Sequence, residues 1–129
     1  MMSVLQCALE ADHAGLESIA YEFMTQAFVL YESDVSESKL QMDLIATFVG
    51  TLSAMKSISE DNYDTLITKT TQYSAKLLKK PDQCRCICKC SRLFWNDSLK
   101  YYQNTRVFEC LQKSLRIADV CMQVVALVW

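Results

Sequence analysis

The single proline of this chain, Pro81, constrains its fold more than any other residue. It follows residues 76–80, which are rich in leucine and lysine. A second segment, which is amphipathic and rich in cysteine, begins directly after it. Proline cannot continue the interior of a helix, but it suits the first turn of a new helix, where its missing N–H group is no loss. The sequence therefore predicts a tight turn between two packed helices at this point.

The composition favours long helices with short connections. Two glycines and one proline in 129 residues are too few for a sheet-rich fold with many turns. Apolar residues make up 51% of the chain, which is enough to build a core and argues against global disorder. The length is typical of one domain, or of one part of a larger one.

Charge and hydropathy exclude several classes of protein. A balance of 13 basic against 15 acidic residues gives a net charge of −2, which argues against a nucleic-acid binder. The longest apolar runs, such as residues 124–129, are far shorter than the roughly 20 residues that span a bilayer. Residues 1–5 lack the basic start of a signal peptide, so we expect a cytosolic chain whose seven cysteines stay reduced.

Apolar residues recur at intervals of three and four, which is the spacing of amphipathic helices. Ser59 is predicted to cap the start of the helix at 60–80, and Asp34 or Ser36 is predicted to cap the start of the helix at 40–55. Residues 96–104 form the one predicted loop of any length. The predicted helical segments are 2–10, 16–31, 40–55, 60–80, 81–95 and 105–121.

The helices recur as pairs about every 40 to 45 residues, which is the period of α-solenoid repeats. A closed helical bundle is the alternative, because helices with short joins fit either architecture. Apolar segments at both ends, 2–10 and 122–129, favour the solenoid, in which each repeat is sealed only by its neighbours. The predicted fold is all-α, a HEAT-like α-solenoid fragment of about five to six antiparallel helices. Residues 1–129 are then a slice of a longer subunit.

Four cysteines alternate along residues 84–90. A structural metal site would need four thiolates that converge tetrahedrally. On a helix, Cys84 and Cys88 share one face, whereas Cys86 and Cys90 point roughly 200° away. Buried or half-buried thiols are therefore the favoured interpretation, and a cysteine-rich metal-binding or redox helical module remains the alternative.

No signature of catalysis or of cofactor binding emerges from the residues. His13 stands in a predicted turn, and nothing nearby orients it toward a nucleophile. Gly15 and Gly50 are isolated, so there is no glycine-rich phosphate loop. We expect a protein that is not an enzyme, with no catalytic residue, cofactor or metal of its own.

Two groups of residues are candidates for partner binding. Lysines around the proline, together with Arg85, form a basic patch that suits an acidic partner or lipid headgroups, although a solvated helix end is the favoured explanation. Large aromatics at the end of a helix are candidate interface anchors or caps for an adjacent repeat. The predicted partner-binding residues are Lys79, Lys80, Pro81, Asp82, Arg85, Phe94 and Trp95.

Several stretches, in order and in register between about residues 5 and 122, resemble one known family. The stretches are 19–28, 30–32, 35–39, 74–83 with Arg85, 93–95, 106–107, 109–111, 115–118 and 121–122. Together they are similar to the large α-solenoid subunit of retromer, the vacuolar protein sorting-associated protein 35 family.

The resemblance implies a place in the carboxy-terminal half of that subunit, a HEAT-like solenoid that cradles a smaller subunit of metallophosphoesterase fold. It implies a non-enzymatic scaffold in endosome-to-Golgi retrograde transport, located in the cytoplasm and peripherally on the endosome membrane through the complex. Any metal pocket would belong to the partner subunit.

The chain also departs from the family pattern. The Pro-Arg-Thr-Leu-Tyr-type motif that engages the arrestin-like subunit does not occur, so that contact is expected to be missing. Residues 123–129 replace the helices expected next, and the cysteines of 84–90 stand at ordinary helix positions of the family. A fragment, a truncated gene model and a degenerate paralogue all fit this pattern.

Overall fold

A computed structural model describes the backbone of residues 1–128 and the side chains of residues 1–123. It contains six α-helices, which confirms the predicted all-α class and number of helices. A short 3₁₀ turn, Arg92–Phe94, and a two-stranded hairpin separate the last two helices. The helices are α1 (Met2–His13), α2 (Glu17–Asp34), α3 (Ser38–Ser53), α4 (Glu60–Ala75), α5 (Lys80–Ser91) and α6 (Asn104–Val128), and the strands are β1 (Trp95–Asn96) and β2 (Tyr101–Tyr102).

The helices form three consecutive pairs, α1–α2, α3–α4 and α5–α6. The odd-numbered helices contact one another in chain order, with α3 between α1 and α5, while α2 packs against α4. The pairs therefore lie side by side in the solenoid-like manner that the periodicity predicts. Within residues 1–128, no helix combines the length and the apolar content that crossing a membrane requires.

An aromatic cluster joins the first pair to the second. The Phe48 ring of α3 is fully buried and meets Phe28 and Tyr31 of α2 edge to face, with centroids 5.1 and 5.7 Å apart. Tyr73 of α4 lies against the same α2 rings, at 5.5 Å from Phe28 and 4.5 Å from Tyr31. Edge-to-face pairs of this kind contribute beyond their buried area. The core is thus continuous across the boundary between the pairs.

The Asp12 carboxylate fixes the junction between α1 and the α3–α4 turn, a role that sequence reasoning missed. It is fully buried and accepts the backbone N–H groups of Lys56 and Ser57 at 2.6 and 3.0 Å. His13 belongs to the same junction, with its Nε2 atom 3.4 Å from the Ala54 carbonyl oxygen. A buried carboxylate with two backbone donors holds the first pair in register with the second.

The cap predicted at Ser59 is confirmed, whereas the cap predicted at Asp34 or Ser36 is wrong. The Ser59 hydroxyl accepts the Asn62 N–H group at 3.4 Å at the start of α4. Helix α2 runs on through Asp34, and Glu37 occupies the N-cap position of α3 without a side-chain hydrogen bond. The boundary lies one to three residues later than the cap-type residues suggest.

The turn at the proline is confirmed, but it is longer than predicted. Helix α4 ends at Ala75 rather than at residue 80, and residues 76–79 form the turn before α5. Pro81 lies in the first turn of α5, as its missing N–H group favours. Gln83 secures the turn by donating from Nε2 to the Leu77 carbonyl at 2.5 Å. Leu77 is consequently buried, while Leu78 is 82% exposed.

The segment predicted as a loop, residues 96–104, contains part of a short β-hairpin. Helix α5 ends at Ser91, not at residue 95, and β1 pairs with β2 in antiparallel register. The buried Tyr63 hydroxyl donates to the Leu93 carbonyl at 2.6 Å and accepts from Asn96 Nδ2 at 3.3 Å. These bonds attach the hairpin to the start of α4.

The three-and-four apolar spacing of segment 105–121 predicts that Leu111 and Leu115 face inward, but both residues are exposed in α6. Leu111 and Leu115 are 45% and 71% exposed, and Phe108 and Met122 on the same face are also exposed. Helix α6 packs mainly against α5, so its opposite face has no neighbour among the described residues. Most side chains of the predicted apolar end, 122–129, lie outside the described residues.

We expect Asp12→Ala to lower the free energy of unfolding by about 2–5 kcal/mol, because two backbone N–H groups lose the charged acceptor that holds the turn. Urea denaturation measures the change. Glu10→Ala, an exposed carboxylate on the same helix, is the matched control and should change stability by less than about 0.5 kcal/mol. Equal effects of the two substitutions would contradict the role of Asp12.

Candidate partner-binding surface

Five of the predicted partner-binding residues lie together at the start of α5. Lys79, Lys80, Pro81 and Arg85 are exposed, and Asp82 is partly buried. Arg85 Nη1 lies 3.7 Å from Asp82 Oδ1, a loose surface ion pair that leaves the guanidinium available. The basic patch is therefore present at the surface, and its binding role stays a prediction.

The two aromatic candidates lie beyond the other end of α5, and they differ in exposure. Phe94 is 1% exposed, and the Arg106 guanidinium lies 4.3 Å from its ring centroid. Its side chain is therefore packed into the core in this chain, and its role in partner binding stays a prediction. Trp95 is 51% exposed and packs against Tyr102 with ring centroids 4.6 Å apart. Of the two aromatic candidates, Trp95 is the one whose side chain is exposed.

A polar network around Arg106, which no local sequence pattern signals, holds the hairpin and α6 against α4. Arg106 donates from Nη1 to Asp64 and from Nη2 to the Thr68 hydroxyl at 2.5 Å. The Tyr101 hydroxyl donates to the same Asp64 oxygen. Burial, reinforced by this carboxylate, raises the pKa of Tyr101 well above its usual range. The network orients the third pair relative to the second.

A second network joins α2 to α4. The Tyr73 hydroxyl donates to Glu32 Oε1 at 2.5 Å, and Lys69 Nζ lies 3.1 Å from the same oxygen. The Tyr73 hydrogen bond, with a smaller contribution from Lys69, lowers the pKa of the Glu32 carboxyl. Burial and the Glu32 carboxylate in turn raise the pKa of Tyr73. Helices α2 and α4 are thus held side by side along their exposed edges.

We call the surface formed by α2, α4 and α6 the even-helix face, and two cavities indent it. The α2–α4 socket has a volume of about 190 Å³, and the α4–α6 groove has a volume of about 180 Å³. Successive ridges and grooves of this kind suit contact with a folded protein partner. The socket is lined by Tyr21, Thr25, Phe28, Val29, Glu32, Thr65, Leu66 and Lys69, and the groove by Thr71, Ala75, Ile87, Phe94, Arg106, Glu109, Cys110 and Lys113.

The basic patch extends further than the sequence analysis predicts. Lys80 lines a cavity of about 300 Å³ together with Lys113 and Arg116 of α6 and the apolar side chains of Ile117 and Val120. The two α6 cations lie three residues apart on one helix face, but nothing in the sequence shows that this face meets the start of α5. The structure therefore brings three cations to one groove.

Charge is strongly segregated along the chain. Residues 1–75 contain 3 Lys or Arg and 11 Asp or Glu, whereas residues 76–129 contain 10 and 4. The first two pairs are consequently acidic and the third is basic, although the whole chain is nearly neutral. The overall charge therefore does not describe the surface that a partner of the third pair would meet.

The cysteines of α5 are divided between the core and the surface. Cys86 and Cys90 are fully buried, Cys88 is exposed, and Cys84 Sγ lies 3.2 Å from the Ser114 hydroxyl. Among the described residues, no three His, Cys, Asp or Glu side chains are placed to hold a metal ion. The alternative of a metal module centred on residues 84–90 thus lacks a convergent set of ligands.

We expect iodoacetamide to modify the exposed Cys7 and Cys88 before the buried Cys86, Cys90 and Cys110, because alkylation requires access to the thiolate. Mass spectrometry of the native, reduced protein measures the order. In denaturant all seven cysteines should react. Rapid native alkylation of Cys90 would contradict the packing, and protection of Cys88 by added zinc would support the metal alternative.

We expect the stability of the protein to fall as the pH rises above about 8.5. Burial raises the pKa of Cys110 to about 11, so the unfolded chain loses this proton first and the folded state becomes less favourable between pH 8.5 and 11. Cys110→Ala should remove about 1–2 kcal/mol of the loss between pH 7.5 and pH 10. Urea denaturation at the two pH values tests this. An unchanged loss in the variant would contradict it.

Comparison with known proteins identifies the family. The family model of vacuolar protein sorting-associated protein 35 matches residues 1–128. The chain is 49% identical over 121 residues to vacuolar protein sorting-associated protein 35A of Arabidopsis thaliana and 49% identical over 123 residues to the Schizosaccharomyces pombe protein of the same family. The Dictyostelium discoideum protein is 31% identical over 115 residues. The matches cover 93%, 92% and 88% of this chain, and the chain spans about 15% of the length of each relative. The chain belongs to the vacuolar protein sorting-associated protein 35 family.

Proposed function

We propose that this chain is a non-enzymatic scaffold segment of the retromer complex, acting in endosome-to-Golgi retrograde protein transport. Its family membership supports the proposal, and the observation that carries it is the even-helix face. Three helical pairs lie side by side and present successive grooves on one surface. A surface of this kind gains affinity from broad burial with a few anchoring residues.

The partner that we propose is the smaller, metallophosphoesterase-fold subunit of the complex. A folded partner with a convex surface would bury the ridges of α2, α4 and α6 together, whereas a single side chain or small molecule would use only one cavity. We propose that the segment belongs to the carboxy-terminal half of the large subunit, on the basis of the stretches of sequence that carry the resemblance. The contact with the arrestin-like subunit would then lie outside this segment.

We also propose that the chain is a slice of a longer solenoid. The exposed residues Phe108, Leu111, Leu115 and Met122 of α6 follow the three-and-four spacing of a helix–helix seam. Another helical pair would bury this stripe as α5 buries the opposite side of α6. The relatives, which are more than six times as long as the matched region, have ample chain for further pairs.

In this account the segment acts in the cytoplasm and reaches the endosome membrane peripherally, through the other members of the complex. The charge segregation supports a role in assembly, because an acidic half and a basic half can orient partners of opposite sign. The basic patch at the start of α5 would contribute at the edge of an interface.

The test is a pull-down of the metallophosphoesterase-fold subunit by the full-length large subunit that carries this segment. We expect that subunit in the eluate, and its absence would contradict the proposal. Lys79→Glu combined with Lys80→Glu should weaken binding by about tenfold if the patch lies at the interface. The control is Lys39→Glu combined with Lys56→Glu, which reverses two exposed lysines in the acidic half. Equal affinities of the two double variants would show that the basic patch lies outside the interface.

A further inference from the structure

We propose that the α2–α4 socket receives one uncharged apolar side chain of the folded partner. This inference rests on the proposed function and adds a specific contact to it. The socket lies on the even-helix face between the first and second pairs, where the aromatic cluster and the Glu32 network fix its walls. A socket between rigid elements can act as the central anchor point of an interface.

The size of the socket matches a single side chain. Its volume is about 190 Å³. A protein cavity of about 150 Å³ lined by apolar residues is large enough to bind benzene. The socket therefore admits one aromatic ring or one branched aliphatic side chain, and it is too small for a helix or a strand.

The lining of the socket favours an apolar occupant. Its floor is formed by Phe28 and Leu66, which are 5% and 1% exposed, and Val29 stands at the rim with 56% exposure. The two threonines of the walls donate their hydroxyl protons to their own helices. Thr25 Oγ1 donates to the Tyr21 carbonyl and Thr65 Oγ1 to the Asp61 carbonyl, each at 3.0 Å. The hydroxyl protons of these two threonines are thus already used and are not free for an occupant of the socket.

The charges at the rim favour a neutral occupant. Lys69 of α4 and Glu32 of α2 both line the socket and form an ion pair at 3.1 Å, and Glu32 also accepts the Tyr73 hydroxyl. Neither sign of charge is left in excess at the rim, so an acidic or a basic side chain gains nothing by electrostatic complementarity. The cavity lined by Lys80, Lys113 and Arg116 differs, since all the charged side chains of its lining are cations.

Filling the socket tests the inference. We expect Thr25→Trp in the full-length subunit to weaken binding of the metallophosphoesterase-fold subunit by about 10-fold to 100-fold, because the indole occupies the space of the partner side chain. Thr25 is exposed, so the substitution leaves the core intact. Gln26→Trp is the matched control, since Gln26 is exposed on the same helix and does not line the socket. Isothermal titration calorimetry measures affinity, and circular dichroism confirms that both variants fold.

The outcomes separate this inference from the proposed function. Weak binding by Thr25→Trp with normal binding by Gln26→Trp supports the socket. Equal affinities of the two variants, whether both normal or both weakened, overturn the socket while the proposed function stands. Failure of the unsubstituted subunit to bind the partner overturns both.

Discussion

The structure depends on burial that no helical pair achieves alone. Phe48 of α3 packs against two aromatic rings of α2, and Tyr73 of α4 packs against the same two rings. The first two pairs therefore share one aromatic cluster. Truncation of a fully buried phenylalanine typically costs about 3–5 kcal/mol, a large part of the stability of a domain this size. The pairs must therefore assemble on one another, and an open row of pairs results.

Polar contacts between residues far apart in sequence then set the geometry of the row. Asp12 holds the turn between α3 and α4, and Asp64 receives both Arg106 and Tyr101 from the third pair. Hydrogen bonds are directional, whereas apolar burial is not, so these carboxylates fix how each pair lies on the next. The position of the even-helix face, and of the cavities in it, follows from these contacts.

The local sequence pattern predicted the helices well. Amphipathic spacing, the cap at Ser59 and the position of Pro81 all depend on interactions between residues that are close in sequence. The local pattern failed to predict features that depend on contacts between residues far apart in sequence. The partners of Asp12 and Arg106 lie about 40 residues away, and two-residue strands carry no periodicity. The apolar spacing of α6 placed Leu115 inward, but a second neighbouring helix would be needed to cover it. The burial of Phe94 could not be predicted, because an aromatic residue at the end of a helix suits a core as well as an interface.

The central claim is that the three pairs lie in an open row, in which α1 and α6 belong to opposite ends. Nuclear Overhauser spectroscopy of the protein in solution tests it most directly. An open row predicts contacts from the Phe48 ring to the rings of Phe28 and Tyr31, and none between the methyl groups of Leu5 in α1 and Val107 in α6. Strong Leu5–Val107 contacts would show a closed bundle and contradict the account.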